Sequence, residues 1–167
     1  LPFFTDTATT EIYTLSLPDA LPSTSRRAVG VACGSYSAPL LRSVGLRVPI
    51  YPGKGYSATF ALRRPEAAPW VSTIDDAKKI AMSRLGDSLR VAGTIELSGW
   101  DLTLDSPLAQ ARCHMLARRI ETLLPGVCDT RLPHEGGQPQ FWAGLRPATL
   151  TNIPLIGATP LAGLWLN

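Results

Sequence analysis

The sequence is poor in the residues that build most recognisable sites. It has two histidines and three cysteines in 167 residues. Cys33, Cys113 and Cys128 are far apart, odd in number and form no CxxC pair. That spacing argues against a zinc site or a disulfide framework and for a reducing compartment. His114 falls in a helical pattern and His134 in a polar loop. Both read as edge or exposed side chains, so no metal is expected. No apolar run reaches the roughly 18 residues that a membrane-spanning helix needs. Charged residues are 17% of the chain and the net charge is +3. The basic residues are scattered (Arg26-Arg27, Arg63-Arg64, Lys78-Lys79, Arg118-Arg119), with no basic stripe and no reading motif. A nucleic acid is therefore not an expected partner. GxSxG, HExxH, the Walker loop and GxGxxG are all missing from the sequence. The segment GKGYS (53–57) spaces its glycines wrongly for a phosphate loop and reads as a turn followed by a strand.

What is present suits a globular chain. The apolar fraction of 45% fits a folded protein, long enough for one core or for pieces of two. Residues 5–23, TDTATTEIYTLSLPDALPS, resemble the conceptual translation of a short-read sequencing adapter, with Thr5, Pro18 and Ser23 departing. They carry Asp6, Glu11 and Asp19 and no basic residue. The stretch lacks the charged start and apolar run of a signal peptide. Residues 1–25 are therefore expected to be artefactual or disordered, and function is argued from about residue 26 onward.

Ala28–Cys33 (AVGVAC) reads as a buried strand ending in a glycine turn. Ser37 starts a short helix that stops near Gly45. Val48–Ile50 and Tyr56–Leu62 read as strands around a Pro52-Gly53 turn. Lys79–Arg84 and Ser88–Glu96 flank Gly86-Asp87 as a β-hairpin. In its second arm Leu89, Val91, Gly93 and Ile95 share one face, and Arg90, Ala92, Thr94 and Glu96 the other. The clearest helix runs from Pro107 to about Leu124, with Ser106 as N-cap and Pro125-Gly126 as its stop. Its expected apolar face is Leu108, Ala111, Met115, Leu116, Ile120, Leu123 and Leu124. Gln140–Leu145 and Leu164–Leu166 read as further strands. The order predicts an α+β layer with an antiparallel sheet and one packed helix.

Arg146 is the residue that most suggests chemistry. It follows the strand QFWAGL and precedes Pro147, which favours an extended backbone at Arg146. A lone arginine is usually a surface residue. A guanidinium among Trp142, Leu145 and Pro147 would also suit bidentate contact with a carboxylate or phosphate. The local pattern leaves both readings open.

Three blocks decide more. VACGSYSAPLLRSVGLRVPIYPGKGYSATFAL (31–62), RLGDSLRVAGTIELSGWDLTLD (84–105) and QFWAGLRPATLTNIPLIGAT (140–159) resemble, in the same order, the small-subunit family of bacterial D-amino acid dehydrogenase. That family lies in the wider group of flavin amine oxidoreductases with D-amino acid oxidase and glycine oxidase. The resemblance covers essentially residues 26–167. It implies FAD as cofactor, held in a Rossmann-like domain, and a substrate domain built on an antiparallel sheet. It implies that Arg146 grips the substrate carboxylate, with Tyr56 a further candidate for substrate binding. Cys33, Gly34 and Ser35 match the turn that approaches FAD, where a glycine permits close backbone approach. No catalytic residue is assigned, and neither Tyr51 nor Tyr56 is defended as one.

The organisation so implied is 26–46 as part of the FAD-binding domain, 47–145 as the substrate domain and 146–167 as the return into the FAD-binding domain. The fold class is α+β, a mixed or antiparallel sheet with a packed helix, plus partial strands of a Rossmann-like domain. The implied activity is oxidative deamination of D-amino acids to 2-oxo acids and ammonia, with electrons passed to a respiratory-chain acceptor. The implied place is the bacterial cytoplasm, or the inner membrane as a peripheral protein. Alternatives are a flavin oxidase of glycine, sarcosine or proline type, and a non-catalytic amino-acid-binding module. Two departures stand out. Leu150-Thr151-Asn152 replaces the family's usual Pro-Asp-Gly. No glycine-rich fingerprint precedes Arg26, and the chain stops at Asn167 before a second glycine-rich segment. The expectation is a fragment with an incomplete flavin site, inactive alone.

Overall fold

The structure, a computed structural model, describes residues 28–167; the adapter-like stretch lies outside them. In chain order the elements are β1 (Val29–Val31), α1 (Ser37–Arg42), β2 (Tyr51–Ala61), β3 (Thr73–Asp75), β4 (Ile80–Leu85), β5 (Ser88–Glu96), α2 (Pro107–Leu123), β6 (Gln140–Ala148), β7 (Gly157–Ala158) and β8 (Leu164–Leu166). The chain divides into two compact units. One comprises, among described residues, 28–50 with Thr149–Asn167, and the other is Tyr51–Ala148. The fold is mixed α/β, with one mixed and one antiparallel sheet and few helices.

In the first unit β8 is the middle strand, parallel to β1 and antiparallel to β7. Val31, Leu41 and Leu164 form its small core. The helix α1 ends at a turn in which Gly45 takes φ +81°, a left-handed conformation that glycine adopts without penalty.

The second unit is a five-stranded antiparallel sheet in the order β3-β4-β5-β2-β6. The Gly86-Asp87 hairpin joins β4 to β5 in the expected register, Leu85 opposite Ser88. Tyr56, Ala58 and Phe60 of β2, Leu89 and Val91 of β5, and Ile80 and Met82 of β4 point to one side. There they pack with Ala109, Cys113, Leu116, Ala117 and Ile120 of α2 into a single core. The N-cap is Ser106, whose Oγ accepts from Ala109 N at 3.2 Å. Within this unit the opposite face of the sheet carries no helix.

Four details depart from the sequence reading. First, no turn forms at Pro52-Gly53, and no strand at Val48–Ile50: β2 is continuous from Tyr51 to Ala61. Pro52 stands opposite Pro147 of β6, beyond the point where β5 pairing begins at Lys54 and Glu96. Both prolines lie at the end of the sheet, where β2 pairs with β6 alone, the kind of edge position at which a strand tolerates proline. Second, a bulge interrupts β5. Gly55 pairs with Ile95 and Tyr56 with Gly93, so Thr94 is left over, at φ +60°. One extra residue reverses the alternation beyond it. Ile95 therefore joins Arg90 and Ala92 on the helix-free face, and Glu96 joins Leu89 and Val91. Third, the buried stripe of α2 is Ala109-Cys113-Leu116-Ala117-Ile120, while Leu108 and Leu123 are exposed. Fourth, β6 runs past Leu145 to Ala148 because Tyr51–Gly53 continue as its partner. Arg146 thus lies inside the sheet unit rather than at the start of a return segment.

Candidate functional site

The helix-free face of the sheet is assembled by strand alternation. Arg146, Gly144 and Trp142 of β6 stand opposite Gly53, Gly55 and Ser57 of β2. Side chains two apart share a face, so all six positions belong together, and the bulge adds Ile95 from the other side. Three large side chains lie down on three glycines. The Arg146 guanidinium crosses Gly55, with Nε 3.2 Å from the point where a β-carbon would stand. Ile95 Cδ1 is 2.5 Å from the corresponding point on Gly53, and the Trp142 indole occupies that of Gly144. Any side chain at these glycines would lift its neighbour off the sheet.

Arg146 is exposed, and among the described residues no carboxylate pairs with it. Three other arginines of the same unit pair with carboxylates, Arg119 with Asp75 at 2.6 Å, Arg63 with Asp129 at 2.9 Å and Arg112 with Glu96 at 3.5 Å, whereas Arg118, exposed on α2, does not among the described residues. Trp142 is half-exposed, and the Arg90 guanidinium lies 5.6 Å from its ring centroid. Arg90 also donates to Ser57 Oγ at 3.3 Å. The indole is thereby held between a cation and a glycine. A planar fork-shaped cation beside flat apolar groups is an arrangement suited to a small organic carboxylate.

Tyr56 is not part of this surface. It sits on the core face, 1% exposed, and its hydroxyl donates to the Glu96 carboxylate. Burial, followed by the neighbouring Glu96, pushes its phenol well above the ordinary range. At neutral pH Tyr56 is a protonated donor in a buried polar cluster. Lys54 shares that cluster, fully buried, donating to Thr103 O at 2.6 Å with Asp101 at 3.7 Å. Strand alternation separates Tyr56 from Arg146, and the structure does not bring these two sequence candidates together.

Cys33, Gly34 and Ser35 lie in the first unit, directly after β1. Gly34 has φ +55°, which suits glycine. Ser35 is 2% exposed, and its Oγ is buried without a hydrogen-bond partner among the described residues. A buried hydroxyl left unpaired is costly unless a polar group from outside meets it. The turn therefore fits one edge of a polar cofactor.

Sequence reasoning singled out Arg146 and named Trp142 only as its neighbour; it passed over Ile95 and the glycine floor. Counting back in twos from Arg146 would have found Gly144 and Trp142. Ile95 was hidden by the bulge.

A family model described as FAD dependent oxidoreductase matches residues 3–167, and the chain belongs to that family. It is 47% identical over 137 residues to a D-amino acid dehydrogenase of Dechloromonas aromatica (strain RCB), covering 82% of this chain and 30% of that protein. It is 44% identical over 140 residues to a D-amino acid dehydrogenase of Cereibacter sphaeroides (strain ATCC 17029 / ATH 2.4.9), covering 84% and 30%. The chain thus spans about 30% of the length of these curated relatives. Among solved structures, glycine oxidase from Geobacillus kaustophilus is similar at 26% identity and TM-score 0.62, covering 83% of this chain and 35% of that one. Iminodiacetate oxidase from Chelativorans sp. BNC1 shares the fold at 24% identity and TM-score 0.65, covering 86% and 37%. Among the described residues no helix is long and apolar enough to cross a membrane.

Proposed function

We propose that this chain carries the amino-acid-binding sheet of an FAD-dependent D-amino acid dehydrogenase, which converts a D-amino acid to a 2-oxo acid and ammonia. One observation carries the reading: Arg146 is an exposed guanidinium with no carboxylate partner among the described residues, laid over a glycine on the helix-free face. The names of relatives 47% and 44% identical support the substrate class.

In this reading Arg146 holds the substrate carboxylate through two parallel N–H···O bonds and so fixes Cα. Ile95 and Trp142 beside it reduce the water around the bound amine. A drier setting disfavours its ammonium form, freeing the lone pair to assist loss of hydride from Cα. The acceptor for that hydride and its two electrons would be supplied by FAD when bound. The nitrogen releases a proton, and the resulting imino acid takes up water and sheds ammonia. The Cys33-Gly34 backbone and the Ser35 hydroxyl would hold part of the cofactor. In this reading the electrons would go on to a respiratory-chain acceptor, and the enzyme would work in the bacterial cytoplasm or peripherally on the inner membrane.

The test is anaerobic mixing of FAD-loaded protein, with this sequence extended to the length of its relatives, with D-alanine, L-alanine and glycine. Flavin bleaching by D-alanine but not L-alanine, with one ammonia per flavin, is the expected result. Bleaching by glycine alone would favour a glycine-type flavin oxidase, the reading to which the likeness with glycine oxidase points. Absence of bleaching by any amino acid would leave a non-catalytic binding module.

A further inference from the structure

We infer that Trp142 and Ile95 set the side-chain preference of the site, and that its substrates are amino acids with neutral apolar side chains, aromatic ones favoured. This rests on the reading of Arg146 as carboxylate anchor. The argument is one of placement. Gly55 lies under the Arg146 guanidinium, and it is paired directly with Gly144 on one side and Ile95 on the other. The indole covers Gly144, and Ile95 reaches over Gly53. Neighbouring strands lie about 4.8 Å apart, so a carboxylate held at Arg146 has an indole on one flank and a branched alkyl group on the other. The Cα of a bound amino acid is one bond from its carboxylate carbon. Its side chain therefore meets one of these two surfaces.

Both walls have the means to select. Trp142 and Ile95 are about half-exposed, at 51% and 47%, so each has free apolar area for a ligand to cover. The indole is also held in orientation, with Arg90 5.6 Å from its centroid and bonded in turn to Ser57. A ring that is already fixed loses little entropy when a second ring packs on it. Arg90 is engaged with the indole and Ser57, so the charge nearest the side-chain position is already placed. Among the described strand positions that share this face around Arg146 none is acidic, so none recruits a basic side chain. The positions that share this face around Arg146 are Gly53, Gly55, Ser57, Arg90, Ala92, Ile95, Trp142 and Gly144.

The experiment compares FAD-loaded wild type, Trp142→Ala, Ile95→Ala and Arg146→Lys, in the protein extended to the length of its relatives. Two quantities are read. One is kcat/KM for D-alanine, D-leucine and D-phenylalanine. The other is the dissociation constant of acetate and of phenylacetate, followed by flavin absorbance and by calorimetry. Trp142→Ala should lower kcat/KM for D-phenylalanine by about 10- to 200-fold, the range over which apolar pocket contacts discriminate. The loss for D-alanine should be smaller by about tenfold or more, so that the ratio of the two substrates changes, and phenylacetate should weaken more than acetate. Ile95→Ala should do the same to D-leucine more than to D-alanine. An equal loss for D-alanine and D-phenylalanine, or no loss for either, would overturn the assignment while leaving Arg146 as anchor. Unchanged acetate affinity in Arg146→Lys would overturn the carboxylate reading, and the selectivity assignment with it.

Discussion

The Arg146 guanidinium rests on Gly55, with its Nε 3.2 Å from the missing β-carbon position, so a side chain there would push the guanidinium outward by a few tenths of an ångström. The flexible end of Arg146 can yield, so Gly55→Ala should fold normally, with a stability change within about 1 kcal/mol. Carboxylate affinity should suffer instead, by about 3- to 30-fold, because the fork is lifted from its position. Calorimetric titration of acetate into wild type and Gly55→Ala checks this. Equal affinities would mean that the glycine floor does not position the guanidinium.

The three thiols should separate cleanly. Cys33 is exposed, whereas Cys113 and Cys128 are buried. Burial raises the Cys113 thiol and pushes that of Cys128 up to about 11. The thiolate is the reactive form. At pH 8 one thiol per chain should react with Ellman's reagent quickly, and two more only after denaturation. Fast reaction of all three in the native protein would contradict the packing of α2 on the sheet.

Along α2, cap and core substitutions should differ from surface ones. Ser106→Ala removes the acceptor for Ala109 N and should cost about 1 kcal/mol. Ile120→Ala empties a fully buried position and should cost about 2–5 kcal/mol. Leu108 is 52% exposed, so Leu108→Ala should stay within about 0.5 kcal/mol of wild type. Urea unfolding of the three variants tests the order. A Leu108→Ala loss as large as that of Ile120→Ala would restore the helix face expected from the sequence.

Acid should weaken one tie between helix and sheet edge. The hydrogen bond from Arg119 holds the Asp75 carboxyl below its ordinary value. A carboxyl whose folded pKa is depressed contributes stability above its unfolded pKa, near 4, and loses it as pH falls through the folded value. The stability difference between wild type and Asp75→Asn should therefore be constant from about pH 7 to pH 5 and shrink below about pH 4. Urea midpoints measured across that range decide it. A gap independent of pH would mean that the pair contributes nothing through charge.

Local signals made some elements legible and hid others. Gly86-Asp87 between alternating runs was enough to place the β4–β5 hairpin, and Ser106-Pro107 with Pro125-Gly126 bracketed α2. The resemblance of three blocks singled out Arg146. Apart from the buried stripe of α2, the failures share a physical cause: they depend on what another strand does. Pro52 looks like a turn residue until Pro147 is seen opposite it. Thr94 looks like one more step of an alternation until the β2 register shows it skipped. That skip turned Ile95 toward Arg146 and sent Glu96 to Tyr56, which moved one residue into the candidate site and tied another candidate into the core.

The strongest prediction concerns Arg146 itself. If it anchors the substrate carboxylate, it also orients Cα, and its removal costs more than one contact. Loss of a charge-assisted pair plus orientation should amount to about 2–4 kcal/mol in transition-state stabilisation. That corresponds to about 30- to 1,000-fold in kcat/KM. Arg146→Lys keeps the charge but not the planar fork, so it should fall near Arg146→Ala rather than near wild type. Position in the fold makes the variants informative. Arg146 is exposed and has no ion-pair partner among the described residues, so neither change orphans a buried group. Stability should therefore stay within about 0.5 kcal/mol, and flavin content should match wild type. Steady-state kinetics with a D-amino acid, normalised to bound flavin, make the measurement. Both variants turning over within about threefold of wild type, a difference of only about 0.65 kcal/mol, would remove Arg146 from the site.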